Sequence, residues 1–219
     1  MKFLILIAML AGCTSTFAAR KNKIVPSIDF TQMQYSESWF NSSYTANKVV
    51  QSALTARLFI DHRIADSKFG VGANGFMTAA VLSQMIYMES ARFAGAEVNG
   101  YFNLISNSTI EMRLVGSAFY RTMFVSNNQY GYRELIGAAP YLTFAKVLSN
   151  GKQATIAVKY LPLSYAFTGF DLKNREVSIS ATYGGQTAVR AEWMSQRFSS
   201  DGNTALATQM SLGLLYSFI

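Results

Sequence analysis

Residues 203–219 have the sequence NTALATQMSLGLLYSFI, in which apolar and polar residues alternate with a period of two. Successive side chains of an extended chain point to opposite faces, so this alternation predicts a β-strand with two different faces. One face carries large apolar side chains: Leu206, Met210, Leu212, Leu214, Tyr216 and Phe218. The other face is small or polar, with Ala205, Gln209, Ser211 and Gly213.

The same alternation recurs upstream and predicts eight strands in total. Turn formers such as Asn150-Gly151 and Asp201-Gly202 separate several of them, and such pairs close tight antiparallel hairpins. No helical period or long linker competes with an antiparallel meander. The predicted segments are 49–61, 69–86, 91–106, 109–124, 132–149, 153–170, 175–193 and 203–219.

The composition limits the class of protein. Hydrophobic residues make up 50% of the 219 residues and charged residues only 14%, which excludes a disordered chain. A single cysteine excludes a disulfide scaffold and a cysteine metal cluster. We expect no metal, cofactor or nucleic-acid partner, because the chain carries no metal-ligand cluster, phosphate loop or nucleotide motif.

The predicted strands have the faces of a membrane barrel. A water-soluble barrel would place charged side chains outside, whereas here the polar face is rich in Ser, Thr, Asn and Gly. A sheet can cross hydrocarbon only if it closes, since every backbone polar group must be paired internally. We therefore predict an all-β, closed, antiparallel, up-and-down transmembrane β-barrel over residues 49–219.

Charged residues of both signs lie in the middle of the polar strand faces. Two interpretations are open: the charges pair and fill the lumen, because unpaired buried charges are costly, or they gate a narrow conductance. The predicted interior set is Arg57, Glu97, Glu111, Arg113, Arg121, Lys159, Arg190 and Glu192. Interleaved aromatics are expected to form interfacial girdles: Tyr101, Tyr120, Tyr141, Tyr160, Tyr165, Trp193 and Tyr216.

The N-terminal residues 1–19 have a basic start, an apolar run and small residues, as in a secretory signal peptide. Thr16-Phe17-Ala18 fits ordinary cleavage, whereas Leu10-Ala11-Gly12-Cys13 fits a lipoprotein signal in which Cys13 would be lipidated. Residues 20–48 are expected outside the barrel, as a periplasmic or interfacial segment or a disordered tether.

The strand pattern and C-terminus resemble the small, eight-stranded outer-membrane β-barrels of Gram-negative bacteria. The resemblance implies a structural, surface or narrow-pore protein located in the bacterial outer membrane, with its lipids, including lipopolysaccharide, as partners. It also implies that the assembly machinery recognises a C-terminal aromatic residue, here the penultimate Phe218. With the C-terminus in the periplasm, loops near 62–68, 106–109, 149–152 and 199–203 are expected to face outward. Oligomeric state is left open.

A weaker resemblance, to the lipid A palmitoyltransferases, suggests an alternative enzymatic function. These barrels have a histidine at the outer rim and an Asp-Ser pair in a nearby outer loop. Here His62 is the only histidine, and Asn107-Ser108 follows a predicted strand, with Asn at the acidic position. The resemblance implies acyl transfer by His62, Asn107 and Ser108.

Overall fold

The computed structural model describes residues 22–38, 48–64, 67–84, 91–125, 134–167, 171–200 and 203–218. None of these residues forms a helix that is long and apolar enough to cross a membrane. Ten strands cover nearly all of them: β1 (Asn22–Ser38), β2 (Lys48–Arg63), β3 (Phe69–Gln84), β4 (Ala91–Ser106), β5 (Ile110–Val125), β6 (Glu134–Val147), β7 (Gln153–Phe167), β8 (Asp171–Gly184), β9 (Thr187–Ser200) and β10 (Asn203–Tyr216).

Each strand pairs antiparallel with its neighbours in sequence, and β1 pairs with β10 to close the barrel. The predicted closed, antiparallel, up-and-down barrel is therefore confirmed. The predicted number of strands is wrong, since the described chain contains ten strands and not eight. Two features account for the difference: a hidden turn within 175–193 and a strand before residue 49.

The hidden turn lies at Gly185-Gln186, directly after Gly184 at the end of β8. Val177, Ile179 and Tyr183 point outward before the turn, and Val189 points outward after it, so odd-numbered residues face outward on both sides. Gly184 pairs with Ala188, so three residues separate these partners and the phase of the alternation is preserved. One long strand and a tight hairpin therefore give the same pattern. The Gly-Gly pair itself is a turn signal.

The additional strand is β1. It pairs with β2 from Asn22↔His62 to Ser36↔Lys48 and with β10 from Ser27↔Leu215 to Ser38↔Thr204. Residues 22–38 therefore belong to the barrel, and the expectation that this segment lies outside it is wrong. The alternation in β1 is mixed because Met33 and Tyr35 point inward while Gln32 and Gln34 point outward. Residues 1–21 and 39–47 lie outside the described residues.

The extra turn reverses the expected placement of the connections. The strand ends joined by the β2–β3, β4–β5, β6–β7 and β8–β9 connections all lie at the end of the barrel that holds Asn22 and Tyr216. We call this the terminal end. The β9–β10 connection lies at the other end, which we call the opposite end. The expectation that 62–68, 106–109 and 149–152 share one side with 199–203 is therefore wrong.

Large apolar side chains cover the outside of the barrel. Ile28, Leu212 and Leu214 are each about 60% exposed, and so is Val98 on the outer face of β4. The buried side chains point into the lumen and include many polar and charged residues, such as Asp29, Glu176 and Gln196. An apolar exterior around a polar interior is the arrangement of transmembrane barrels.

A change in the β8–β9 turn tests whether residues 171–200 form two strands. Gly184 has a φ of 153°, and a Cβ there would lie 2.4 Å from the Ala188 Cα. We expect Gly184→Ala to destabilise the barrel by about 1–3 kcal/mol, through backbone strain and the contact with β9. Urea unfolding of micelle-bound protein, followed by tryptophan fluorescence, measures the loss.

Gly185→Ala is the matched control, because a Cβ at Gly185 meets no atom within 4 Å. Equal unfolding midpoints for the two variants would contradict the hairpin between β8 and β9.

Candidate functional site: the lumen

A cluster of four charges joins the strands around the barrel closure. We call Asp29, Arg57, Arg190 and Glu192 the Asp29 cluster. The Arg57 Nε lies 2.6 Å from Asp29 Oδ2, and its Nη1 lies 3.1 Å from Glu192 Oε2. Arg190 Nη2 donates to the same Asp29 oxygen. Asp29 is fully buried, and two arginines, Arg57 on β2 and Arg190 on β9, stabilise its carboxylate.

Gly213 makes this arrangement possible. It pairs with Asp29 on β1 and with Arg190 on β9, so it lies between them in the sheet. A Cβ at Gly213 would lie 2.0 Å from Asp29 Oδ1. The absence of a side chain on β10 lets the Asp29 carboxylate lie across that strand and reach Arg190.

A second cluster lies deeper in the lumen. Arg121 donates to both carboxylate oxygens of Glu176, at 2.5 and 3.2 Å, and Gln196 Nε2 donates to Glu176 Oε2 at 2.9 Å. This bidentate geometry is the strong form of an arginine–carboxylate pair. Nearby, Lys159 Nζ lies 2.7 Å from Glu97 Oε2.

A third cluster lies towards the terminal end. Arg113 Nη1 lies 3.0 Å from Asp61 Oδ2, and its Nε lies 3.1 Å from Glu111 Oε1. The side chains here are 21–33% exposed, so they are wetter than those of the Asp29 cluster. Removing one partner of such a pair costs less than it does in a fully buried pair, because solvent screens the charge that is left.

Aromatic rings of the lumen face the five predicted cations. The Arg121 Cζ lies 4.4 Å from the Phe119 ring centroid, and the Arg113 Cζ lies 4.2 Å from that of Tyr101. Such contacts stabilise desolvated cations. The other cation–ring contacts join Arg57 to Phe76, Arg190 to Phe59, and Lys159 to Phe119 and Tyr141. Tyr101 and Tyr141 thus contact cations inside the lumen, so the prediction that they form part of an interfacial girdle is wrong.

The structure brings all eight predicted interior charges into ion pairs. Sequence reasoning missed three of their partners: Asp29, Asp61 and Glu176. Asp29 lies on the strand that was missed. Asp61 shares the polar face of β2 with Arg57, and Glu176 shares the polar face of the predicted segment 175–193 with Glu192, so the period-two pattern could have identified both.

The opposite end of the lumen holds a large apolar cluster. Buried side chains from six strands pack there into what we call the apolar plug: Met33, Tyr35, Ala91, Phe119, Met123, Leu135, Ala139, Phe198, Ala205 and Ala207. Leu135 and Phe198 are 0% and 1% exposed. The polar inner faces predicted from sequence are therefore interrupted at the opposite end, where the buried polar side chains of Gln51 and Asn174 lie beside Ala91 and Phe198.

A cavity of about 380 Å³ occupies the other part of the lumen. Its lining runs from Lys23 and Leu215 near the terminal end to Arg121 and Met194. Arg121 lines the cavity and pairs with Leu135 of the apolar plug, so the cavity reaches the plug.

The proposed catalytic residues have local partners at the terminal end. His62 is exposed, and its Nδ1 is hydrogen-bonded to the side chain of Asn22. Asn107 Oδ1 accepts from the backbone of Thr109 at 2.9 Å and Ile110 at 2.7 Å, which shapes the β4–β5 turn that contains Ser108. The described contacts do not bring His62 together with Asn107 or Ser108.

Two further predicted residues lie near the termini. Phe218 continues the closure beyond β10 through a bridge to Ile24, and its ring centroid lies 4.9 Å from that of Tyr216. Cys13, the proposed lipidation site, lies outside the described residues.

The Asp29 cluster predicts a large effect of one charge. We expect Asp29→Asn to destabilise the barrel by about 3–5 kcal/mol, because Arg190 and Arg57 are then buried opposite a neutral side chain. Urea unfolding in micelles measures this loss. The matched control is Glu192→Gln, which removes a carboxylate that is 21% exposed and contacts one arginine.

Adding Arg190→Gln to Asp29→Asn should cost less than the sum of the two single changes, since the double variant leaves no unpaired Arg190. Additive losses, or equal losses in Asp29→Asn and Glu192→Gln, would contradict the pairing.

Substitutions at the proposed catalytic residues His62 and Ser108 are expected to have no effect on lipid chemistry. We expect His62→Ala and Ser108→Ala to leave the acyl composition of the host's outer-membrane lipid unchanged, since His62 is paired with Asn22 and has no carboxylate partner among the described residues. Mass spectrometry of the extracted lipid measures this. An altered acyl chain in either variant would favour the enzymatic alternative.

No protein-family model matches the chain, and no curated protein matches it in sequence. Solved structures do resemble it. The outer membrane protease OmpT from Escherichia coli has a TM-score of 0.58 and 11% identity, over 94% of this chain and 99% of that one. KdgM porin has a TM-score of 0.38 and 14% identity, over 88% and 99%. Neisserial surface protein A has a TM-score of 0.37 and 8% identity, over 92% and 99%. The chain therefore has the fold of the bacterial outer-membrane β-barrels.

Proposed function

We propose that this protein is a closed outer-membrane barrel with a structural or surface role, whose lumen serves as an internal core and not as an open pore. The apolar plug carries this proposal. Ion conduction needs a continuous wet path, and the plug closes one end with side chains that are at most 8% exposed.

The ion pairs support the same conclusion. The side chains of Asp29, Arg57 and Arg190 are 0–7% exposed, and each is engaged with a partner of opposite charge. A conducting lumen would need these groups to face mobile ions. Here they face one another and the aromatic rings of the wall, which fixes strands that are distant in the sequence.

The outer surface supports a location in the outer membrane. Large apolar side chains are exposed around the wall, and hydrocarbon is the medium in which that surface is stable. The fold of the solved neighbours agrees with this location.

We do not propose a proteolytic or acyl-transfer function. The only histidine, His62, pairs with an amide side chain, and the adjacent Asp61 is engaged by Arg113 at 3.0 Å. A histidine acting as general base is normally oriented by a third group, which the described partners of His62 do not supply.

Planar-bilayer recording tests the closed lumen. We expect the wild-type protein to give no stable single-channel conductance, and Met33→Ala/Phe198→Ala to conduct, because two plug side chains are removed. Phe30→Ala is the matched control, since it truncates an outward side chain of β1 that is 47% exposed.

A second measurement covers the case in which the double variant does not fold, since each truncation of a buried side chain costs about 2–5 kcal/mol. Release of a small dye from liposomes containing the wild-type barrel should not exceed release from empty liposomes. Dye release or conductance by the wild-type protein would contradict the proposal.

A further inference from the structure

Three cations form a cluster on the outer wall near the opposite end. Arg175 and Arg197 are direct cross-strand partners on β8 and β9, and Lys173 lies two residues before Arg175 on the same face. All three are exposed. Directly opposed side chains in a sheet have Cβ atoms about 4.5–5.5 Å apart, and like charges at that position are destabilising. We call these residues the cation patch.

The cation patch has no partner of its own in the described part of the chain. None of its three residues makes an ion pair, hydrogen bond or ring contact there. Outward lysines at the terminal end differ, since Lys152 lies over the ring of Tyr183 and Lys68 over that of Phe102. The repulsion between Arg175 and Arg197 is thus left without compensation from the described protein.

The position of the cation patch indicates which kind of ligand balances its positive charge. Ile179 pairs with Trp193 on the same outer face, and both are exposed. Arg197 lies four residues beyond Trp193, which is about 13 Å along the strand at 3.3 Å per residue. The patch therefore borders the apolar wall, at the level where a bilayer changes from acyl chains to head groups.

We propose that the cation patch binds the phosphate groups of an anionic membrane lipid, of which lipopolysaccharide is the class expected at an outer membrane. Two arginines at one cross-strand position can bind one phosphate through several N–H donors, and Lys173 adds a third charge. The acyl chains of the same lipid lie against Trp193 and Ile179. This inference rests on the proposed membrane location and adds a lipid-binding site to it.

The test uses the refolded full chain in maltoside micelles, which carry no phosphate. Lipopolysaccharide is added, and the temperature of half-unfolding is followed by heat-dependent gel migration. We expect a rise with the wild-type protein, and an increase of about tenfold or more in the half-effective lipid concentration for Arg175→Gln/Arg197→Gln. Arg92→Gln is the matched control, since Arg92 is a single exposed outward arginine near the same end.

Two further arms separate the site from a structural role and from free phosphate. Without lipid, Arg197→Gln should be at least as stable as the wild type, because it removes the repulsion with Arg175. Inorganic phosphate and phosphatidylcholine should have no effect at the concentration at which lipopolysaccharide acts.

Equal responses of the wild type and the double variant, or an equal effect of inorganic phosphate, would overturn the site while leaving the barrel and its closed lumen intact. Failure of every variant to fold in micelles would instead overturn the proposed membrane function on which the site rests.

Discussion

Closure of the sheet through β1 and β10 is the constraint on which the rest of the molecule depends. In hydrocarbon an unpaired strand edge would leave its backbone N–H and C=O groups without partners, at a cost of several kcal/mol each. The β1–β10 ladder removes both edges. Asp29 reinforces this seam from inside, because it lies on β1 and binds arginines of β2 and β9.

The side chains of the lumen are divided between two kinds of interaction. Ion pairs and aromatic rings line a cavity of about 380 Å³ towards the terminal end, whereas apolar side chains cluster at the opposite end. The charged part specifies which strands lie together, because each pair requires partners at defined positions. The apolar part holds the buried side chains on which the proposed closed lumen rests.

The sequence predicted the class of fold because alternation depends only on which face meets lipid. It could not predict the number of strands. The Gly185-Gln186 turn leaves the outward phase unchanged, and β1 mixes inward Met33 and Tyr35 with outward Gln32 and Gln34. Eight interior charges were identified from their strand faces, but their pairing was not. Pairs such as Arg121–Glu176 join β5 to β8, and only the curvature of the closed sheet brings these strands face to face.

Gly213 also bears on how the last strand is selected during assembly. A shift of β10 by one residue would turn its apolar face into the lumen. A shift by two residues would keep the faces but place Ser211 or Leu215 beneath Asp29, where a Cβ collides with the carboxylate. Gly213 therefore specifies the register of β10. The closing strand fits the Asp29 cluster only when this glycine lies opposite Asp29, and a shift by two residues in either direction produces a steric clash.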